Sequence, residues 1–151
     1  MDHQETLKDK RVIVTGGSRG LGRAIVEALL ARGAKVTAVA RDEVELAETA
    51  LLGASPKAGD VTDSTLMERL LAEVRPSVLI LNADATPHMA PIDEQTWDSF
   101  STVWNTDAKA GFYGVQAALK ARFAPGSRVL IASSGAARIG APLSGSYTGA
   151  K

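Results

Sequence analysis

Five short apolar runs alternate with amphipathic segments along the 151 residues. That alternation limits the fold more than any other feature. The runs are "RVIVT" (11–15), "KVTAVA" (35–40), a short one within "PKAGD" (56–60), "SVLILNA" (77–83) and "SRVLIASS" (127–134). Helical periodicity falls between them, over 21–33, 42–53 and 63–74. A long helix is expected within 91–123, with its clearest period from Ala108 to Leu119. In the first helix Leu21, Ala24, Ile25, Ala28 and Leu29 share a face; in the third, Leu66, Leu70 and Val74 do. "SGSYTGAK" at 144–151 reads as the opening turns of another helix. Strands alternating with helices of this length predict a parallel α/β sheet with right-handed crossovers. The runs are apolar throughout rather than alternating, which predicts burial on both faces. No repeat or linker divides the chain, so residues 1–151 read as a single domain.

Composition removes several functions. Seventeen Lys and Arg balance seventeen Asp and Glu, leaving no basic excess for nucleic acid. With no cysteine, disulfides, thiolate catalysis and cysteine zinc sites are excluded. No apolar run approaches bilayer length, and the polar start "MDHQETLKDK" lacks a signal-peptide core. The expectation is a cytoplasmic protein without membrane contact. His3 in the tail and His88 in a loop have no partners that point to a metal, so no metal site is expected. Trp97 and Trp104 are expected to pack the long helix and its approach.

The turn between the first strand and first helix is "TGGSRGLG", Thr15 to Gly22. Glycines there allow a tight turn and bring a phosphate close to the backbone. The helix N-terminus adds free N–H groups and a favourable dipole. Gly16, Gly20 and Gly22 are spaced G-x-x-x-G-x-G, which is neither G-x-G-x-x-G nor a Walker A loop. The reading is a dinucleotide turn.

At the end of the second strand, "VARDE" puts Ala40 where an acid for a ribose 2′-OH is expected, and Arg41 follows. A guanidinium suits a 2′-phosphate. Arg19, inside the glycine turn, can reach the same group. The pair favours NADP(H) over NAD(H). Asp42 reaches the ribose only if the strand shifts by one residue.

Taken together, the chain resembles the short-chain dehydrogenase/reductase family. The resemblance rests on "TGGSRGLG", "GDV" (59–61), "LNAD" (81–84) and "SS" followed by "YTGAK", in the family's order, and runs from the first strand to Lys151. It implies a Rossmann-like doubly wound parallel sheet of about five strands in the order 3-2-1-4-5, without the family's C-terminal strands. It implies cofactor contacts from Gly16, Ser18, Arg19, Gly20, Leu21, Gly22, Arg41, Asp60, Val61, Asn82, Ala83, Tyr147 and Lys151. Asp60 and Val61 match the pair beside the adenine, and Asn82 and Ala83 the middle of the family's "NNAG". Leu81 and Asp84 depart from that motif, and Asp84 brings charge to the groove. Ser134 matches the catalytic serine by its interval to Tyr147, with Ser133 structural. The family's further Asn falls on Asp107 by register, or on Asn105 two residues earlier; the two do not share a helix face.

The implied reaction is hydride transfer between nicotinamide and a small carbonyl or alcohol substrate. The carbonyl oxygen gains negative charge and needs a proton. A free phenol titrates at about 10, and an ammonium beside it favours the phenolate. Tyr147 and Lys151, four apart, lie on one helix face. Ser134 would hold the substrate oxygen between phenol and hydride. The family adds strands and a substrate-covering segment after this helix, so the fifth strand would have a bare apolar edge. The expectation is a longer polypeptide or a truncated product with crippled chemistry, forming a homo-oligomer (dimer or tetramer) when full length. The alternatives are an NADP(H)-binding regulatory protein without turnover and an assembly role through the long helix and the Tyr–Lys helix.

Overall fold

The computed structural model describes residues 7–151, so His3 lies outside the described residues. The strands are β1 (Arg11–Thr15), β2 (Lys35–Ala40), β3 (Ser55–Ala58), β4 (Val78–Leu81) and β5 (Arg128–Ile131). They form one five-stranded sheet in the order β3-β2-β1-β4-β5, and every pairing is parallel. The helices are α1 (Gly20–Ala31), α2 (Glu43–Leu51), α3 (Ser64–Val74), α4 (Trp97–Val103), α5 (Lys109–Ala121) and α6 (Gly145–Ala150). This is the expected Rossmann-like α/β fold.

Successive side chains of a strand point to opposite faces. Val12 and Val14 therefore pack with Val26, Val36, Ala38 and Leu46 beneath α1 and α2. Ile13 turns the other way, to Met67, Leu70, Leu71 and Leu79 beneath α3 and α5. Side-chain caps fix where helices begin. Asp42 accepts from the Val44 and Glu45 N–H groups at the start of α2, and Asp63 from Thr65 N–H at the start of α3. Thr96 and Ser99 form a reciprocal capping box at the start of α4.

Three expectations need correction. Only the central strands are buried on both faces. All four residues of β3 and of β5 are exposed, because each strand is an edge with a neighbour on one side. In α1, Leu21, Ala24 and Ala28 face outward, while Gly22 and Val26 are buried. The cause is Gly22, whose contact with the turn sets the helix rotation. The long helix is real but interrupted: a π-helical turn, Trp104–Ala108, separates α4 from α5. Such turns frequently mark functional sites. Trp97 is largely exposed and stacks on Phe100 at 5.9 Å. Trp104 instead lies against Gly149 of α6. No helix among the described residues is long and apolar enough to cross a membrane.

Candidate active site

A cleft of about 930 Å³ opens at the C-terminal ends of the strands. It lies where strand order reverses between β1 and β4, the expected position for a ligand on such a sheet. One end is the glycine turn. A Cβ added at Gly22 would collide with the Gly16 carbonyl, so the residue type is dictated by close helix–turn packing. Gly20 has φ of 53° and nothing within 4 Å of where its Cβ would be. Its left-handed backbone suits glycine, and the open space leaves room for a group to approach. No side chain caps the N-terminus of α1, so its first N–H groups are available to an anion. These features fit a dinucleotide phosphate, and Gly16, Gly20, Leu21 and Gly22 all line the cleft.

Helix α2 holds this turn from the side. The buried Ser18 hydroxyl donates to Glu45 Oε2 at 2.8 Å, and Arg19 Nη1 lies 3.9 Å from Glu45 Oε1. Thr49, fully buried, donates toward the carbonyls of Gly17 and Ser18. Arg19 and Arg41 both line the cleft. Asp42 lines it too, but one of its carboxylate oxygens is committed to the two α2 amides. Asp60 and Val61 complete this end. The Thr62 N–H holds the Asp60 carboxyl below its ordinary range against the opposing effect of burial, with lesser help from the Thr62 hydroxyl and from the charges of Arg41 and Lys109.

The end of β4 is tied to β1 by Thr15. Its hydroxyl oxygen accepts from Asn82 N–H at 3.0 Å and Ala83 N–H at 3.2 Å, and donates to the Ile80 carbonyl. Asn82 Nδ2 donates to the Gly16 carbonyl. Asn82, Ala83 and Asp84 thereby form the cleft floor beside the glycine turn.

Tyr147 and Lys151 stand at the opposite end, both lining the cleft. The Lys151 ammonium is 5.1 Å from the Tyr147 ring centroid. It lies 2.9 Å from Asp107 Oδ2 and 3.8 Å from Asp84 Oδ2. The Lys151 and Asp107 side chains are only 9% and 5% exposed, so this pairing is shielded from water. Asp107 Oδ1 accepts from Ala85 N–H at 2.8 Å, and Oδ2 has no other partner among the described residues. The π-helical turn carries both candidates for the further site residue. Asp107 meets Lys151, while Asn105 sits exposed on the cleft wall, its amide directed to Ser101. Ser133 lines the cleft and donates to the Lys151 carbonyl at 2.8 Å. Ser134 accepts from Ala136 N–H and caps the short 3-10 turn Gly135–Arg138. His88 is exposed in its loop, and no cluster of potential metal ligands occurs among the described residues.

Thr15, Glu45 and Thr49 hydrogen-bond to the glycine turn or to cleft residues, and sequence reasoning did not single them out. A polar residue ending an otherwise apolar first strand was the available signal for Thr15. Glu45 and Thr49 fall one turn apart on α2, which places them on a common face.

Residues 10–151 match the family model described as short chain dehydrogenase. Human L-xylulose reductase is 33% identical over 132 residues, covering 84% of this chain and 54% of that protein. Pig carbonyl reductase (NADPH) 2 is 33% identical over 128 residues, covering 82% of this chain and 52% of that protein. The chain spans about half the length of these curated relatives. A short chain dehydrogenase from Shigella flexneri superposes with a TM-score of 0.88 at 22% identity, over 100% of this chain and 65% of that one; it supports the fold alone.

Proposed function

The chain belongs to the short-chain dehydrogenase family, and from that premise we propose that it carries the cofactor site and acid–base group of an NADP(H)-dependent oxidoreductase acting on small carbonyls or alcohols. The observation that carries the reading is the single cleft shared by the glycine turn and the Tyr147–Lys151 pair. Similarity to carbonyl and xylulose reductases supports the same class. The nicotinamide, when bound, supplies or accepts the hydride. Tyr147 gives the substrate oxygen its proton during reduction and takes it back in the other direction. Lys151 places positive charge beside the phenol, and Asp107 fixes the ammonium. The Ser134 hydroxyl uses its acceptor side for Ala136 N–H, which leaves its O–H to donate to the substrate oxygen. Gly20, the α1 N-terminus, Asp60, Val61, Asn82 and Ala83 hold the dinucleotide. Arg19 and Arg41 hold the 2′-phosphate that makes NADP(H) the preferred form. We propose a homo-oligomer for the assembly that turns over.

The test is NADPH oxidation over a panel of ketones and aldehydes. Tyr147→Phe should lower turnover by about a hundredfold to ten-thousandfold, the usual reach of a general acid, with NADPH affinity retained. Equal turnover in the variant would remove Tyr147 from the chemistry. Arg41→Ala should weaken NADP(H) far more than NAD(H); equal loss for both would refute the 2′-phosphate assignment.

One observation favours a second reading, a dinucleotide-binding protein without turnover. Two carboxylates, Asp84 and Asp107, approach the Lys151 ammonium where family resemblance leads one to expect neutral residues. Tight NADPH binding without turnover on any carbonyl would decide for it.

A further inference from the structure

Glu45 brings a negative charge to the place where the preceding reading puts a phosphate. Its carboxylate receives the Ser18 hydroxyl at 2.8 Å through one oxygen and faces Arg19 Nη1 at 3.9 Å through the other. Ser18 and Arg19 are two of the groups assigned to the dinucleotide, and all three residues line the cleft together with Arg41. A carboxylate and a phosphate oxygen ask the same of these donors: an O–H and a guanidinium N–H. Ser18 is 5% exposed, so its hydroxyl has little water to turn to and keeps whichever anion is present. Glu45 itself is held in place by its own helix. Asp42 caps that helix, and Thr49 fastens it to the glycine turn. The backbone that carries Glu45 is therefore fixed beside the turn, and the Ser18 hydroxyl orients the carboxylate toward the cleft wall.

We propose that Glu45 is a built-in competitor for the 2′-phosphate, engaging the Ser18 and Arg19 donors that the phosphate needs and setting how strongly the chain discriminates phosphorylated from unphosphorylated dinucleotide. The proposal rests on the assignment of Arg19 and Arg41 to that phosphate. Binding the phosphorylated form requires the Ser18 and Arg19 donors to leave Glu45 and leaves two anions side by side. An unphosphorylated ribose makes no such demand. A neutral amide in place of the carboxylate keeps the shape, removes the repulsion and offers an N–H to the phosphate.

The experiment is calorimetric titration with 2′,5′-ADP and with 5′-ADP, read as the ratio of the two dissociation constants. Glu45→Gln should raise discrimination in favour of 2′,5′-ADP by about tenfold, the equivalent of one charge-assisted contact. Glu45→Asp, which retracts the carboxylate, should move the ratio the same way by less, and serves if the first variant folds poorly. Glu48→Gln is the control. Glu48 pairs with Arg23 on the outer side of α2, and its loss should leave the ratio where it was. An unchanged or reduced ratio in both Glu45 variants would overturn the proposal, since Glu45 would then be orienting Arg19 rather than competing. The outcomes separate the two levels of inference. Selective loss of 2′,5′-ADP in Arg41→Ala with an unmoved ratio in Glu45→Gln would overturn only the role of Glu45. No preference for 2′,5′-ADP in the unmodified chain, with no selective loss in Arg41→Ala, would overturn both.

Discussion

On the side of the cleft proposed for the nucleotide, β1 and β2 are buried along nearly their whole length; on the side proposed for the reaction, every residue of β5 is exposed. The two walls are consequently held by different forces. The nucleotide wall is held by packing. Val12, Ile13 and Val14 are fully buried, Gly22 lies against the Gly16 backbone, and Thr15 binds the ends of β1 and β4 together. The reaction wall hangs on a few polar links. Lys151 meets Asp107, Ser133 reaches the Lys151 carbonyl, and Ser146 donates to the Phe100 carbonyl from a six-residue helix. Packing is spread over many contacts and tolerates little change in volume. Polar links are few, and each can be lost singly. Damage to the first wall should therefore be global, and damage to the second local.

The largest expected effect is at Gly22. Gly22→Ala puts a methyl group into the Gly16 carbonyl, a backbone atom that cannot move aside alone. It should destabilise the fold by about 3 kcal/mol, the upper part of the range for overpacking, and abolish nucleotide binding. Urea midpoints and 5′-ADP titration measure both. A cost near zero would mean that the turn is pliable and the contrast between the walls is false.

Asp107→Ala comes next. It deletes the acceptor for Ala85 N–H and leaves the buried Lys151 ammonium with only Asp84, 3.8 Å away. The expected cost is about 2 kcal/mol, that of losing hydrogen bonding to a charged group. Because the damage is local, amide exchange should quicken in α6 while 5′-ADP affinity holds. Asp107→Asn keeps the acceptor for Ala85 and should cost less. If Asp107→Ala instead weakens 5′-ADP as much as Gly22→Ala does, the walls form one cooperative unit.

The same contrast explains what could be read from the residues in advance. Strands β1, β2 and β4 were legible because burial on both faces writes itself as runs of Val, Ile and Leu. β5 showed the same kind of run although it is exposed, and β3 (Ser55–Ala58) has no such run and is exposed. The sheet order was implied by the family resemblance. The glycine turn was legible because close approach of backbones leaves one residue type possible. The rotation of α1 was not, since a face counted from its aliphatic residues gives no weight to a buried glycine. The π-helical turn was invisible because it changes the register of a helix without changing its composition, and with it went the choice between Asp107 and Asn105. The Glu45 contact was hidden for another reason. It joins residues 27 positions apart through side chains, and no local pattern records such a distance.

The smallest effect probes whether charge contributes to the nucleotide wall at all. The Asp60 carboxyl titrates below its ordinary value, chiefly through the Thr62 N–H, then the Thr62 hydroxyl, with smaller help from Arg41 and Lys109. Its folded-state value is depressed, so the carboxylate form favours folding. That contribution is present above the unfolded value of about 3.9 and is lost as pH falls through the folded one. Carbon-detected NMR of the Asp60 carboxyl can follow this directly. Thr62→Val removes the hydroxyl and keeps the N–H, so it should return the titration only part of the way to normal. Arg41→Ala should move it in the same direction and by less, because a charge acting across partly hydrated space is screened. A larger shift in Arg41→Ala than in Thr62→Val would reverse that order. The arginine field, rather than the hydrogen bonds of the turn, would then dominate at Asp60, and the nucleotide wall would depend on charge as much as the reaction wall does.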